Sequence, residues 1–379
     1  MKIAFFTETY LPNRDGVVSS IVSTRKELEN SGNEVYVFAP SSPQSKENKD
    51  PRVFYHRAAS FKPYPQYKLA LFPFSANGKL KEIKPQVIHT HGMATMGLAA
   101  IRASRSFKLP LVGTFHTLIP QLTHYISKRR QIKNFTEGLA WSYMKWYFSF
   151  CKPVIAPSFA LKAILEQHGI GNVEVIPSGV NTKRFNPSID GSQLRAKLGF
   201  KEDEKVVLHL GRLVHEKNLD ILINSALLIL EEDPATKFLV VGDGPARTHY
   251  SALVKKHGLE KRFIFTGLVP DNDVPKYCAL ADALVFPSKI ETQGLVALEA
   301  MACGTPVAGA NYLAIPEVVK DNYNGFLFNP DSAEECASAI LKTAKSKEKF
   351  SKNCIKTADS FSVSVCTEKL LKLYTSLQK

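Results

Sequence analysis

Short apolar runs alternate with longer amphipathic stretches along almost the whole chain. The runs of the first half read KIAFFT, EVYVFAP, VIHTH, PLVGTFH, PVIAPS and VEVIPSG, with helical patterns such as SIVSTRKELENSG between them. The second half continues in the same way with KVVLHLG, KFLVVGDG, RFIFTG, ALVFPS, PVAGA and GFLF. Buried strands separated by helices predict right-handed βαβ units and parallel sheets.

The alternation restarts after PSGVNTKRFNP, which predicts a domain boundary near residues 180–190. A chain of 379 residues with 44% hydrophobic and 22% charged residues can fill two cores. We therefore expect an α/β protein with two Rossmann-like, doubly wound parallel-sheet domains, residues 1–180 and 181–361. Ligands of such sheets bind at the carboxyl ends of the strands, so a cleft between the domains is the expected site. Residues 362–379 form an amphipathic pattern that could pack on either half.

The cysteines and the apolar runs narrow the expected compartment. Six cysteines are scattered singly, without a CxxC pair, which is typical of reduced thiols in a cytoplasmic protein. The start MKIAFFTETYLP is typical of a buried strand and not of a signal peptide. No run reaches the roughly 18 apolar residues of a membrane span. The expectation is a protein that is soluble or lies on a membrane surface.

The positive charge is concentrated in the first half. Residues 1–180 hold 23 Lys and Arg against 11 Asp and Glu, whereas residues 181–379 hold 26 against 24. Such a bias marks an anionic partner, either nucleic acid or an acidic membrane, unless it serves solvation alone. No known nucleic-acid-binding module is present, which argues against nucleic acid.

A basic run, SKRRQIK at 127–133, precedes an aromatic stretch. The aromatic residues are Phe135, Trp141, Tyr143, Trp146, Tyr147, Phe148 and Phe150. Basic residues beside Trp and Tyr suit a segment that lies on an anionic leaflet. The alternative is a core helix of the first domain preceded by a solvated loop.

Two cations follow a predicted strand in LGRLVHEKNLD. Arg212 and Lys217 come directly after the strand that ends at Gly211. At the carboxyl end of a parallel strand they would face a ligand, and a diphosphate would require such charges. Solvated surface charges are the alternative for these two residues taken alone.

The stretch KIETQGLVALEA carries two glutamates around a glycine. Glu291 stands in the loop before a helix that opens at Gly294, and Glu299 lies about two turns into it. A glycine lets a ligand approach the free N–H groups of the helix N-terminus, which suit phosphate oxygens. Carboxylates accept hydrogen bonds from vicinal hydroxyls, so the pattern fits sugars flanking a diphosphate. The alternative for Glu291 is a plain helix cap.

Three positions of the first half are candidates for the same ligand. Gly16 lies between a strand and a helix, where it is either a turn glycine or a point of close ligand approach. His116 ends the strand VGTFH and would act as a hydrogen-bond donor or proton shuttle. His89 and His91 share one strand face, but no third ligand follows them, so a zinc site is not expected.

Together, GRLVHEKN, VGDGP, FTGLVP and the two glutamates of KIETQGLVALEA resemble the retaining glycosyltransferases of family 4, which have the GT-B fold. The resemblance implies that Arg212 and Lys217 neutralise the donor diphosphate. It also implies that Glu291 holds the transferred sugar, that Glu299 holds the ribose, and that His116 contacts the sugar. Backbone groups of Thr292, Gln293, Gly294 and Leu295, together with Gly16, would bind sugar and phosphate. The terminal helix is expected to cross back to the first domain.

The chain departs from the common family pattern at two places. Asp15-Gly16 stands where many members have Gly-Gly, and ETQGL replaces EGxGL. Both features are similar to those of the branch that glucosylates diacylglycerol. The expected activity is hexose transfer, from UDP-glucose to a lipid at the inner membrane face. It requires no cofactor or metal and proceeds by front-face attack with retention. Acceptor and membrane contacts are expected at His124, Tyr125, Lys128, Arg129 and Arg130.

Two other functions stay open at this point. One is a mannosyl- or galactosyltransferase that acts on a soluble glycan. The other, from a different class, is a basic nucleic-acid-binding protein. The first shares the same fold, whereas the second predicts a basic stripe with stacking aromatic residues on a known module, which the sequence lacks.

Overall fold

The protein is described from a computed structural model. It describes residues 1–13, 15–43, 45, 48–61, 64–71, 73–116, 118 and 130–378, with backbone alone for 61, 64–67 and 130–133. The chain divides into two compact units: unit 1 comprises Met1–Gly179 with Val363–Lys379, and unit 2 comprises Val180–Ser362. Each unit contains one doubly wound parallel sheet, so the fold class predicted from the alternation is confirmed.

Unit 1 is built on a seven-stranded parallel sheet of order β3-β2-β1-β6-β7-β8-β9. Its strands are β1 (Lys2–Phe6), β2 (Glu34–Pro40), β3 (Val53–His56), β6 (Val87–Thr90), β7 (Leu111–Thr114), β8 (Val154–Ala156) and β9 (Val173–Val175). An antiparallel hairpin of β4 (Ala58–Phe61) and β5 (Tyr64–Ala70) stands beside this sheet. The helices are α1 (Gly16–Asn30), α2 (Ala76–Ile83), α3 (Thr95–Phe107), α4 (Arg130–Phe148) and α5 (Phe159–Gln167).

The central strand and the first helix show why the sequence folds in this way. Four consecutive residues of β1, from Ile3 to Phe6, are fully buried, as expected for a parallel strand covered by helices on both faces. Asp15 caps α1, because its carboxylate accepts a hydrogen bond from the amide of Val18 at 2.9 Å. Gly32, with a φ of +79°, follows the end of α1 as a helix-terminating glycine.

Unit 2 contains a six-stranded parallel sheet of order β12-β11-β10-β13-β14-β15. The strands are β10 (Val206–Leu210), β11 (Lys237–Val241), β12 (Phe263–Gly267), β13 (Ala283–Phe286), β14 (Val307–Ala310) and β15 (Gly325–Phe328). The helices are α6 (Ser192–Lys197), α7 (Leu219–Glu232), α8 (Arg247–Lys256), α9 (Val274–Leu280), α10 (Leu295–Ala302), α11 (Ile315–Val318), α12 (Ala333–Lys345) and α13 (Lys347–Ser360). β10 lies in the middle of the sheet, between β11 and β13, so its carboxyl end is central.

The last helix, α14 (Val363–Ser376), belongs to unit 1 and packs on α1. Leu370, Leu373 and Tyr374 join the core that Ile3 and Phe5 form. The hydroxyl of Tyr374 is hydrogen-bonded to Nδ1 of His89 on β6. The amphipathic pattern of this helix is thus used to cover the sheet of unit 1.

No helix in the described part of the chain combines the length and the apolar character that crossing a bilayer requires.

Candidate active site

The carboxyl ends of β10 and β13 bring two of the candidate residues together. Lys217 closes a short 3₁₀ helix (His215–Lys217) after β10, and Glu291 lies in the loop after β13. The Nζ of Lys217 donates to Oε2 of Glu291 at 2.8 Å, and the side chains are only 23% and 15% exposed. Lys217 also lies 5.5 Å above the ring centre of Phe286. The two residues therefore form one partly buried charged unit, although 74 positions separate them.

Asn218 fixes the loop that carries Lys217. Its backbone is left-handed, with a φ of +54°, which an asparagine tolerates better than most residues. Its side-chain amide donates to the carbonyl oxygens of Pro287, at 3.2 Å, and of Pro330, at 2.9 Å. The amide of Lys289 donates to the carbonyl of Glu216 at 3.1 Å, so the loops after β10 and β13 are joined. Sequence reasoning missed Asn218, although the Asn directly after Lys217 was a signal.

Gly294 stands at the N-cap of α10 with a left-handed φ of +93°. A side chain there would be strained because of this backbone conformation. It would not be strained by a clash, because its Cβ would stand 3.5 Å from the ring of Phe286. The amide of Gly294 donates to Oε1 of Glu291 at 3.3 Å. Glu291 therefore caps the helix and binds Lys217 at the same time, with one carboxylate oxygen for each task.

Thr292, Gln293 and Leu295 lie around this turn. Gln293 is buried, whereas Thr292 and Leu295 are partly exposed. The first N–H groups of an α-helix have no carbonyl partner within the helix, and they carry the positive end of its dipole. The turn before α10 thus offers oriented donors beside the Lys217–Glu291 pair.

Backbone contacts between two glycine-containing loops position the segment with Arg212. A Cβ on Gly242 would lie 2.0 Å from the carbonyl oxygen of Gly211, and one on Gly244 would lie 2.3 Å from that of Leu213. The amide of Leu213 donates to the carbonyl of Asp243 at 3.0 Å. VGDGP taken alone indicates only a turn, whereas the structure shows that its glycines allow the two loops to touch.

Arg212 is exposed and, within the described residues, forms no ion pair with a carboxylate. It follows Gly211 at the end of β10, as the sequence predicts. The structure does not bring its guanidinium into contact with Glu291. Its charge is therefore not paired with a carboxylate of the described residues and is available to a ligand.

Glu299 is surrounded mostly by protein, although part of its side chain reaches the surface. Burial raises the pKa of its carboxyl to about 7, the nearby Arg184 opposes this rise, and Asp271 adds to it. Arg184 itself pairs with Asp271 at 2.8 Å. Sequence reasoning missed Arg184, and nothing in NTKRFNP marked it as a neighbour of Glu299.

Unit 1 places His116 in a cluster of three histidines. Its Nε2 lies 3.1 Å from Nδ1 of His91, and the two rings stack with centres 5.3 Å apart. His89 is hydrogen-bonded through Nε2 to Thr114 at 2.6 Å. Burial lowers the pKa of His116 to about 4 and that of His89 to about 3, so these imidazoles are neutral at pH 7.

His116, from the segment after β7, is thus the third histidine beside His89 and His91. The sequence did not predict that these three residues lie together. A cavity of about 30 Å³ adjoins the cluster, and its lining includes Ser20 and Thr367. It has room for roughly one water molecule. Nε2 of His91 faces buried surroundings without a protein partner among the described residues.

In unit 1, sequence reasoning also missed Glu8, in the sequence TETYLP. Its carboxylate accepts hydrogen bonds from the amides of Met96, at 2.9 Å, and Gly97, at 3.0 Å, at the start of α3. Burial raises its pKa to about 7 in spite of these bonds. Gly16 begins α1, and among the described residues a Cβ added there would meet no atom within 4 Å. Packing against the described part of the chain therefore does not require a glycine at this position.

The expected acceptor and membrane residues fall largely outside the described part of the chain. This applies to His124, Tyr125, Lys128 and Arg129, whereas Arg130 is the first residue of α4 and only its backbone is described.

Helix α4 has one buried face and one exposed face. Met144, Tyr147 and Phe148 are buried in unit 1. On the other side Phe135, Leu139, Tyr143 and Trp146 are 68%, 54%, 40% and 49% exposed. We call these four residues the α4 stripe, since their spacing of three to four residues puts them on one side of the helix. One face of α4 thus packs in the core of unit 1, as expected for a core helix, whereas the contact of the other face with a membrane stays a prediction.

The sequence matches two known protein families in succession. Residues 14–184 match the family described as "Glycosyltransferase Family 4", and residues 190–361 match "Glycosyl transferases group 1". The chain is 30% identical to alpha-monoglucosyldiacylglycerol synthase of Acholeplasma laidlawii, covering 100% of this chain and 97% of that protein. It is 29% identical to the enzyme of the same name from Streptococcus pneumoniae, and the match covers 90% of this chain and 78% of that protein.

A third relative acts on another sugar. GDP-mannose-dependent alpha-mannosyltransferase of Corynebacterium glutamicum is 24% identical over 93% of this chain and 83% of its own. Among solved structures, Anabaena HepE in complex with UDP superposes with a TM-score of 0.80 and 23% identity. The superposition covers 99% of this chain and 100% of HepE.

The two parallel-sheet units and this structural likeness show the GT-B fold, as the sequence resemblance implied. The family matches and the full-length relative show that the protein is a glycosyltransferase. The chain belongs to glycosyltransferase family 4.

Proposed function

We propose that this glycosyltransferase is a retaining enzyme that transfers a hexose, glucose from UDP-glucose, to a membrane lipid such as diacylglycerol. The observation that carries the proposal is the Lys217–Glu291 pair beside the Gly294 turn of α10. A cation, a carboxylate and oriented amides within one turn match the diphosphate and the sugar of such a donor. The names of the two alpha-monoglucosyldiacylglycerol synthases that resemble this chain support glucose and diacylglycerol.

The donor phosphates would lie against the first amides of α10. Lys217 and the exposed Arg212 would neutralise the negative charge that develops on the leaving diphosphate. The ribose hydroxyls would be held by Glu299. Gly16, where a Cβ would meet none of the described atoms within 4 Å, leaves room for a ligand on unit 1. In this proposal unit 1 binds the acceptor and unit 2 binds the donor, and the diphosphate requires no metal.

Glu291 acts as a hydrogen-bond acceptor in this proposal and not as a nucleophile. Its two oxygens are already engaged by Lys217 and by the amide of Gly294, which spreads and stabilises the negative charge. A carboxylate held in this way accepts hydrogen bonds from sugar hydroxyls well but attacks carbon poorly. We therefore infer front-face attack by the acceptor hydroxyl with retention of configuration.

His116 contributes as a neutral group. Because burial keeps its pKa at about 4, the ring donates or accepts a hydrogen bond at pH 7 and carries no charge. A neutral imidazole next to the transferred sugar would orient a hydroxyl by hydrogen bonding and not by charge. Its hydrogen bond to His91 fixes the plane of the ring.

The lipid acceptor is supported by the surface of unit 1. The α4 stripe exposes the indole of Trp146 and part of the ring of Tyr143, whose hydroxyl donates to the carbonyl of Met93. Such an aromatic surface suits the boundary between headgroups and acyl chains. Arg105, on α3, lies over the ring of Phe150 at 4.4 Å, which adds a cation near the end of α4. The excess positive charge of residues 1–180 favours an anionic leaflet, and a peripheral position on the inner face of the cell membrane follows.

The direct test supplies the purified protein with vesicles that contain diacylglycerol and an anionic phospholipid. UDP-glucose, UDP-galactose and GDP-mannose are offered separately, and the lipid product is identified by mass spectrometry and by the anomeric proton coupling in NMR. An α-glucosyl diacylglycerol formed from UDP-glucose is expected. A mannosyl product, or transfer to a soluble glycan only, would replace the proposal with the mannosyltransferase alternative. An inverted anomer would overturn retention.

A further inference from the structure

Two histidines and an aspartate converge on the surface of unit 2, away from the groups assigned above. His215 opens the 3₁₀ helix after β10, Asp220 lies in the first turn of α7, and His249 lies in the first turn of α8. One ring nitrogen of each histidine and one carboxylate oxygen all lie within 4.8 Å of one another. Three separate elements thus contribute one ligand atom each.

The local packing holds these side chains near one another. Nε2 of His249 lies 2.5 Å from Oδ1 of Asp220, and the rings of His215 and His249 meet edge to face at 5.2 Å. Below them the fully buried Tyr250 donates its hydroxyl to the carbonyl of Val214 at 3.0 Å. This bond anchors the backbone directly before His215. Within the described residues, no hydrogen bond to the ring of His215 occupies its nitrogens.

We propose that His215, Asp220 and His249 form a site for one divalent transition-metal ion of the zinc class. Two imidazoles and a carboxylate are a donor set that zinc, nickel and cobalt prefer, whereas magnesium and calcium select oxygen ligands. Ligand atoms around a tetrahedral zinc stand roughly 3.3 Å apart, given bonds of about 2.0–2.1 Å. Small side-chain rotations reach this geometry, because His215 and His249 are exposed and Asp220 is about one-third exposed. Water completes the coordination.

The site is separate from the donor site, although the two share one element. His215 and Lys217 lie in the same 3₁₀ helix, but Lys217 binds Glu291 whereas His215 contacts His249. A bound metal would tie this helix to α7 and α8 and stiffen the loop in front of Lys217. The inference goes beyond the proposed function and stands without it, because it concerns metal binding and not glycosyl transfer.

Calorimetric titration of the chelator-treated full chain with zinc chloride tests the site, together with the thermal midpoint. The unchanged protein is expected to bind one equivalent and to gain thermal stability with rising zinc concentration. His215→Ala and His249→Ala should each weaken binding at least roughly tenfold and remove the thermal shift. His257→Ala, at the end of α8 and outside the cluster, is the matched control and should behave like the unchanged protein.

Far-UV circular dichroism without metal checks that both variants are folded, which is expected because both side chains lie at the surface. Equal zinc binding by the unchanged protein and by both variants would overturn the proposal. The absence of heat and of a thermal shift at millimolar zinc would overturn it as well. A magnesium-induced shift of the same size, lost in the same variants, would overturn the assignment to the zinc class.

Discussion

Lys217 and Glu291 form an ion pair of 2.8 Å at the ends of two adjacent parallel strands, and the side chains of both are mostly buried. The pair holds a charged lysine and an ionised carboxylate ready beside the amides of α10. A ligand with a diphosphate and a sugar can engage both charges without first desolvating them from bulk water. Their importance for transfer can be separated from their importance for folding.

Lys217→Ala and Glu291→Gln are each expected to lower glycosyl transfer by roughly two to three orders of magnitude, as for other groups that stabilise developing charge. Each variant leaves the other charge unpaired at a partly buried site, which should cost less than the roughly 3–5 kcal/mol of a fully buried pair, so both variants should remain folded. Steady-state transfer rates and urea midpoints check the two expectations. Lys289→Ala, which removes the exposed pair with Asp331 in the same loop, is the control. Near-normal transfer by either site variant would remove these residues from the active site.

Gly242→Ala is expected to destabilise unit 2 by several kcal/mol, because the new Cβ would stand 2.0 Å from the carbonyl oxygen of Gly211. Nucleotide binding should weaken in parallel, since Arg212 follows Gly211 directly. Gly258→Ala is the matched control: its φ is also positive, at +69°, but its Cβ would meet nothing within 4 Å. It should cost only about 1–2 kcal/mol. Urea unfolding and titration with UDP measure both effects, and equal losses in the two variants would contradict the contact argument.

Glu299→Gln is expected to stabilise the protein more at high pH than at low pH. The folded state keeps the Glu299 proton up to a pKa of about 7, whereas the unfolded chain loses it near 4.5. The stability that the protonated form contributes is therefore complete below pH 4.5 and is lost as the pH rises through 7. Glutamine lacks this loss, so its advantage should grow by an amount of order 1–3 kcal/mol between pH 4.5 and 8.

Urea midpoints at the two pH values give this difference. Exposed Glu202→Gln is the control and should show no such growth. Glu8, whose pKa is also raised, remains in both proteins, so the comparison isolates Glu299. A Glu299→Gln effect of the same size at both pH values would show that its carboxyl titrates alike in the folded and unfolded chains.

Membrane binding is expected to depend on the α4 stripe and on the basic run before it. Replacing Phe135 and Trp146 together by serine should reduce sedimentation with anionic vesicles several-fold. Changing Lys128, Arg129 and Arg130 to alanine should abolish the preference for anionic over neutral lipid. Phe159→Ser, which removes an aromatic side chain that is 69% exposed elsewhere on unit 1, should have no effect. Equal pelleting with neutral vesicles, or none with any vesicle, would contradict the interfacial role.

The sequence predicted what depends on short-range periodicity and on motifs within one segment. The alternation of buried strands and helices was sufficient for two parallel sheets, and KIETQGLVALEA located the turn at Gly294. The contact of His91 with His116 could not be predicted, because it joins two strands whose neighbour relation is set only in the sheet. The role of Asn218 could not be predicted for the same reason, because its side chain donates to two carbonyls that are 69 and 112 residues away.

The discontinuity of unit 1 has a consequence during synthesis. Residues 363–378 supply the helix on α1 and the hydroxyl that bonds His89, whereas unit 2 is continuous in the chain from Val180 to Ser362. At roughly 5–20 residues per second, the ribosome needs on the order of 10–40 s to make the intervening segment. The α1 side of the unit 1 sheet therefore stays uncovered until all of unit 2 has been synthesised. Unit 2 has no such dependence, because it needs no residue made after Ser362.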